Sequence, residues 1–147
     1  MKLCLILLLL FTACSSQFIE TSVKKGSEGF VLGGGEIGVL LTHGLGASPC
    51  EVKELASYLA EKNISVYAVR LSGHGTSVED LNSKKWEDWY QTYEEAYFTL
   101  KPLKKKIFVG GMSAGGVIAL KLAEVQDVDG VIALAAAMIL VDSRTNS

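Results

Sequence analysis

The stretch Val109-Gly110-Gly111-Met112-Ser113-Ala114-Gly115 places a serine in the pattern G-x-S-x-G. A serine hydroxyl is a poor nucleophile until a base takes its proton, and it reaches an acyl carbon best from a turn that holds it in the open. The spacing has a mechanical cause. On a sharp strand-to-helix turn, side chains two residues before and two after the serine collide, so Gly111 and Gly115 are what make such a nucleophile elbow possible. A helix starting at Ala114 aims its first amides, and the positive end of its dipole, at charge developing on an attacked carbonyl oxygen.

A second piece lies seventy residues earlier, at His43-Gly44-Leu45-Gly46. A loop of small residues there can bring another amide to the same oxygen, so the expected donors are the N–H groups of Leu45 and Ala114. A dinucleotide-binding fingerprint is the competing reading of Gly44 and Gly46, but Pro49 stands where its third glycine belongs. The proton acceptor is harder to find. The chain has two histidines, His43 and His74, and both precede Ser113. Asp142 follows the last apolar run, but a carboxylate without an imidazole leaves the serine unactivated. No residue of this sequence is placed to be the base, so the chain as written is expected to be inactive or impaired.

The elements that must position these residues follow from periodicity. Residues 30–34 (FVLGG) and 37–42 (IGVLLT) read as two strands joined tightly. Ser48 with Glu51 has the form of a capping box, and Pro49 suits the first position of the helix that follows. Val52, Leu55, Ala56 and Leu59 then share one face. Residues 64–71 read as a strand and the SGHGTS stretch as a loop. Trp86, Trp89, Tyr93, Tyr97 and Leu100 recur at steps of three and four, which predicts a helix with an aromatic core face. KIFVGG, AGGVIALKLAEVQ and GVIALA read as strand, helix and strand. Apolar runs alternating with helices predict an α/β fold with a mostly parallel sheet covered on both faces. GVIALAAAMILV is apolar on both faces, so it would be a hazardous edge if nothing paired with it, and a partner chain could cover it.

With 147 residues, a net charge of −2 and 49% hydrophobic residues, the chain fits one domain with a substantial core. The near-neutral balance gives no footprint for nucleic acid. Lys104, Lys105 and Lys106 read as a solvated helix end. No Cys/His cluster has metal-ligand spacing, and no cofactor is called for. At the N-terminus, Lys2, a short leucine-rich run and Phe11-Thr12-Ala13-Cys14 describe a secretory signal over residues 1–13. Phe-Thr-Ala-Cys resembles the lipobox of bacterial lipoproteins, which implies cleavage before Cys14, lipid on its thiol and export to the cell envelope. Buried acyl methylenes contribute about 0.8 kcal/mol each, so several chains would hold the protein on a membrane surface. Cys50 would then be the one thiol left, with no internal disulfide to form. Residues 14–29 are polar and aperiodic, as in a tether.

HG-x-G, R-L-x-GHGTS, W-E-D-W and G-x-S-x-G occur in that order between about Gly29 and Leu140. This series resembles the α/β-hydrolases of the bacterial carboxylesterase and monoacylglycerol-lipase type. The resemblance implies Ser113 as nucleophile, Leu45 and Ala114 as oxyanion donors, and an acyl ester as substrate. It also implies that His43 and His74 shape their loops, while the acid and histidine of the triad fall later than any residue here. On that reading residues 30–147 are the N-terminal part of such a domain, truncated after about the sixth strand. A non-catalytic lipid-anchored scaffold and an acyltransferase are the alternatives.

Overall fold

The computed structural model describes residues 21–138. The expected signal segment, Cys14 and Asp142 lie outside the described residues. Five strands form one sheet in the order β1-β3-β2-β4-β5: β1 (Phe30–Leu32), β2 (Ile37–Thr42), β3 (Ser65–Val69), β4 (Lys106–Met112) and β5 (Gly130–Leu134). Strands β2 to β5 run parallel, and β1 lies antiparallel along β3. The helices are α1 (Lys53–Glu61), α2 (Val78–Ser83), α3 (Trp86–Leu100) and α4 (Ala114–Val125).

Strand alternation divides the core in two. Val39 and Leu41 of β2 point to the face where Val52 and Ala56 of the α1 segment pack. Leu40 points to the opposite face, against Tyr93, Tyr97 and Leu100 of α3 and Ile118, Ala119 and Leu122 of α4. A strand buried on both faces needs apolar residues at consecutive positions, which is why β2 reads Ile-Gly-Val-Leu-Leu without polar alternation. The aromatic face of α3 is core from Tyr93 onward, whereas Trp86 at its start is 41% exposed.

Several expectations are corrected. The first two strands are not neighbours, because β3 separates β1 from β2. The link between them passes tightly under the turn that leads into β3. A Cβ on Gly35 would lie 1.6 Å from the Asn63 carbonyl oxygen, and one on Gly33 would lie 2.2 Å from that of Ile64. The Ser48 capping box is absent. Ser48 precedes a 3-10 turn (Pro49–Val52), with Pro49 in its first turn as expected, but its side chain makes no cap bond. The SGHGTS stretch is a loop as expected, but it runs directly into α2, a helix that the hydrophobic pattern did not signal. Its N-cap is Ser77, whose hydroxyl accepts from the Asp80 amide. Nor is Lys104 a solvated cation: its ammonium donates to the Gly35 carbonyl at 2.8 Å and to the Ser65 hydroxyl at 2.6 Å. Strand β5 is shorter than the apolar run that contains it, and ends before Ala135, which has φ 46°.

Candidate active site

Strands β2 and β4 are direct neighbours, with Thr42 opposite Gly111. The chain leaves β2 toward α1 on one face and leaves β4 toward α4 on the other. Loops diverging from adjacent parallel strands open a crevice at the strands' C-terminal ends, where α/β sheets place their ligands.

Ser113 occupies the corner between β4 and α4 with φ 51° and ψ −116°. A side chain at such a torsion costs on the order of 1–3 kcal/mol, and only the surrounding packing holds it there. Its amide donates to the Leu134 carbonyl of β5 at 2.8 Å, and its carbonyl accepts from Gly116 at 3.0 Å. The flanking glycines are sterically required. A Cβ on Gly111 would lie 2.4 Å from the Gly115 carbonyl carbon, and a Cβ on Gly115 would lie 2.4 Å from the His43 carbonyl oxygen. The second of these contacts also joins the two loops, since α4 begins hard against the end of β2.

Where the two loops meet, a Cβ on Gly44 would lie 3.3 Å from that of Ser113. The peptide groups around Gly44 are held from several sides. Its amide donates to Glu51 Oε2 at 2.7 Å. Its carbonyl accepts from His43 Nδ1 at 2.9 Å and from the Ala47 amide at 3.2 Å. The amides of Leu45 and Ala114, by contrast, make no hydrogen bond among the described residues. Each follows directly on one of the two residues that meet here, Gly44 and Ser113.

The family described as Hydrolase_4, Serine aminopeptidase, S33, matches residues 37–145. The chain belongs to this family of α/β-hydrolases. It is 39% identical over 117 residues to a thermostable monoacylglycerol lipase of Bacillus sp. (strain H-257), covering 79% of this chain and 47% of that protein. It is 34% identical over 110 residues to a carboxylesterase of Bacillus subtilis (strain 168), covering 74% and 45%. The chain thus spans about half the length of the curated relatives it matches. Among solved structures, one reported for LipS and LipT, two metagenome-derived lipolytic enzymes, superposes with a TM-score of 0.79 at 28% identity over 84% of this chain and 51% of that one. The monoacylglycerol lipase of Paleococcus ferrophilus shares the fold with a TM-score of 0.67 at 24% identity, over 80% of this chain and 47% of that one.

Both histidines of the chain are tied to backbone. His43 is fully buried. Its Nδ1 donates to the Gly44 carbonyl while its Nε2 accepts from the Leu71 amide at 3.2 Å. That pair of bonds fits one neutral tautomer only, since a protonated ring would turn an N–H toward an N–H. Burial, with smaller help from His74 and Arg70, lowers the His43 pKa to about 4 against the opposing bond to Gly44. His74 packs its ring 4.7 Å from that of His43 and 5.2 Å from that of Trp89, and donates from Nδ1 to the Ser72 carbonyl. Burial lowers its pKa as well. Neither imidazole bonds the Ser113 hydroxyl among the described residues; each is tied through a ring nitrogen to backbone of its own loop.

Two supporting residues escaped sequence reasoning. The hydroxyl of buried Tyr93 accepts from the Gly110 amide at 2.9 Å and lies 2.8 Å from the Leu40 carbonyl oxygen, clasping β2 to β4 just below the elbow. Periodicity marks Tyr93 as core but says nothing of its hydroxyl. Glu51 has the spacing of a capping box and instead reaches back to the loop.

Proposed function

We propose that these residues form the nucleophile and oxyanion-hole half of a carboxylic-ester hydrolase site. Ser113 Oγ bonds to the acyl carbon, the carbonyl oxygen takes up negative charge, and the amides of Leu45 and Ala114 stabilise that charge. Collapse of the tetrahedral species breaks the ester C–O bond, the alcohol departs with a proton, and water later releases the acid from the serine. The observation that carries this reading is the strained torsion of Ser113 directly against Gly44, with the amides that follow these two residues, those of Ala114 and Leu45, bonded to no acceptor among the described residues. Donors fixed in advance toward developing charge are commonly worth 10²–10³ in rate each. The monoacylglycerol lipase and carboxylesterase relatives favour an acyl ester as substrate. We assign neither His43 nor His74 as the proton acceptor, because each ring is tied to backbone and neither bonds the Ser113 hydroxyl among the described residues.

Two measurements on the 147-residue chain test this. Butylboronic acid, whose adduct with a serine oxygen mimics the tetrahedral oxyanion, should shift the Leu45 and Ala114 amide resonances together, and Ser113→Ala should abolish the shift. Hydrolysis of p-nitrophenyl butyrate should be no faster than with Ser113→Ala, because loss of a triad histidine costs on the order of 10⁶ in turnover in a subtilisin-type triad. Unmoved amide resonances would overturn the oxyanion assignment. A serine-dependent rate well above the control would overturn the exclusion of His43 and His74.

A further inference from the structure

The Glu51 side chain leaves the turn before α1 and runs back to the loop after β2, where it bonds the Gly44 amide at 2.7 Å. We propose that Glu51 is a positioning residue for the oxyanion loop: it fixes the peptide plane before Gly44, so that the plane after Gly44 presents the Leu45 N–H to the oxygen above Ser113. The proposal rests on the function assigned above to Leu45 and Ser113.

The geometry of one residue carries the argument. Gly44 joins two trans peptide planes, there being no cis bond among the described residues. In a trans peptide the carbonyl and the next N–H point in opposite directions. Holding the Gly44 carbonyl therefore aims the Leu45 N–H the other way, and that carbonyl is held by His43 Nδ1 and the Ala47 amide. Those two bonds act on the plane after the Gly44 Cα. The plane before it is packed at its oxygen end, where the His43 carbonyl meets Gly115, and the Glu51 carboxylate fastens its other end by taking the Gly44 N–H. Gly44 itself is buried, so its amide has little access to water as a substitute. A side chain on Gly44 would meet Glu51 Oε2 at 3.5 Å and Ser113 Cβ at 3.3 Å, so the brace and the nucleophile flank the same residue. The role depends on the acceptor oxygen. The negative charge opposes a nearby oxyanion, and a neutral amide of the same shape can accept the same bond.

The test compares Glu51→Ala and Glu51→Gln in the full chain, read by amide exchange and by boronate titration. In Glu51→Ala the Gly44 amide should lose protection, the Leu45 resonance should move, and butylboronic acid should bind about tenfold more weakly. Glu51→Gln should restore all three. A role in stability alone would lower the melting temperature and disturb amides across α1 without selecting Gly44 and Leu45. If Glu51→Ala leaves Gly44 protected and Leu45 unmoved, the proposal is wrong. Failure of the unmodified chain to bind the boronate would remove the functional reading, while amide exchange at Gly44 would still report on the brace by itself.

Discussion

The two loops that meet over the sheet are the same unit used twice, a parallel strand turning into a helix, yet they are held by opposite means. The β4–α4 corner is held by exclusion. Gly111 and Gly115 let backbone touch backbone, and Ser113 stays in a costly torsion because nothing nearby can give way. The β2–α1 loop is held by attachment. His43, Glu51 and Ala47 each bond a backbone group of Gly44. The contrast suits the roles proposed for the loops. A nucleophile that forms a covalent bond gains from a rigid seat, whereas an amide donor has only to keep its direction. It also sets what each loop tolerates: the corner should fail abruptly with added volume, and the loop should respond in steps to chemistry.

The largest effect that would break the comparison is at Gly115. Gly115→Val puts carbon where the His43 carbonyl oxygen already stands, at 2.4 Å from backbone that cannot move independently. The expected loss is about 4 kcal/mol or more, beyond what ordinary substitutions cost, or failure to fold. Urea unfolding followed by circular dichroism checks this, and a near-normal midpoint would show that the corner is not held by exclusion.

The next effect belongs to the attached loop and is titratable. His43 has its folded pKa lowered to about 4 from 6.5, so the unfolded chain binds a proton in a range where the folded one does not. Its contribution is complete above pH 6.5 and is lost as pH falls from there toward 4. The loss is about 2 kcal/mol between pH 7 and pH 5. His74 is shifted in the same direction and adds to it. Asp80 acts in a lower window. Burial raises its pKa, but the Thr76 hydroxyl and the Lys84 ammonium together hold it below the ordinary carboxylate value. A stability constant from pH 7 to 5 would contradict the neutral-imidazole brace.

The smallest effect has the opposite sign and sharpens the comparison. Ser113→Gly relieves a torsion that glycine adopts freely, and should stabilise the chain by about 1 kcal/mol while removing the proposed nucleophile. Chemical denaturation beside Ser113→Ala isolates the strain, because the alanine keeps the Cβ and should show no such gain.

The corner was legible in the sequence because steric exclusion leaves a rigid signature: only glycine fits at 111 and 115, whatever surrounds them. Strands β2 and β4 and the core face of α3 were legible for a similar reason, since burial imposes a period on residue type. The loop was only half legible. The small residues from Gly44 to Gly46 marked its position, but the brace from Glu51 is a long-range use of a side chain whose local spacing imitates a cap. The pairing of β1 was hidden as well. A short glycine linker predicts proximity along the chain, and the insertion of β3 between two consecutive strands is a property of the whole sheet. Lys104 misled through composition, since three adjacent lysines suggest solvent while one of them closes a gap between Gly35 and Ser65.

The hydrogen bond from the Ser113 amide to Leu134 has a mechanical consequence. It moors the β4–α4 corner to the outermost strand of the described sheet, whose far side carries no neighbour among the described residues. Whatever docks along that rim, or peels it away, pulls on the Ser113 backbone through this 2.8 Å link as well as through the β4–β5 ladder.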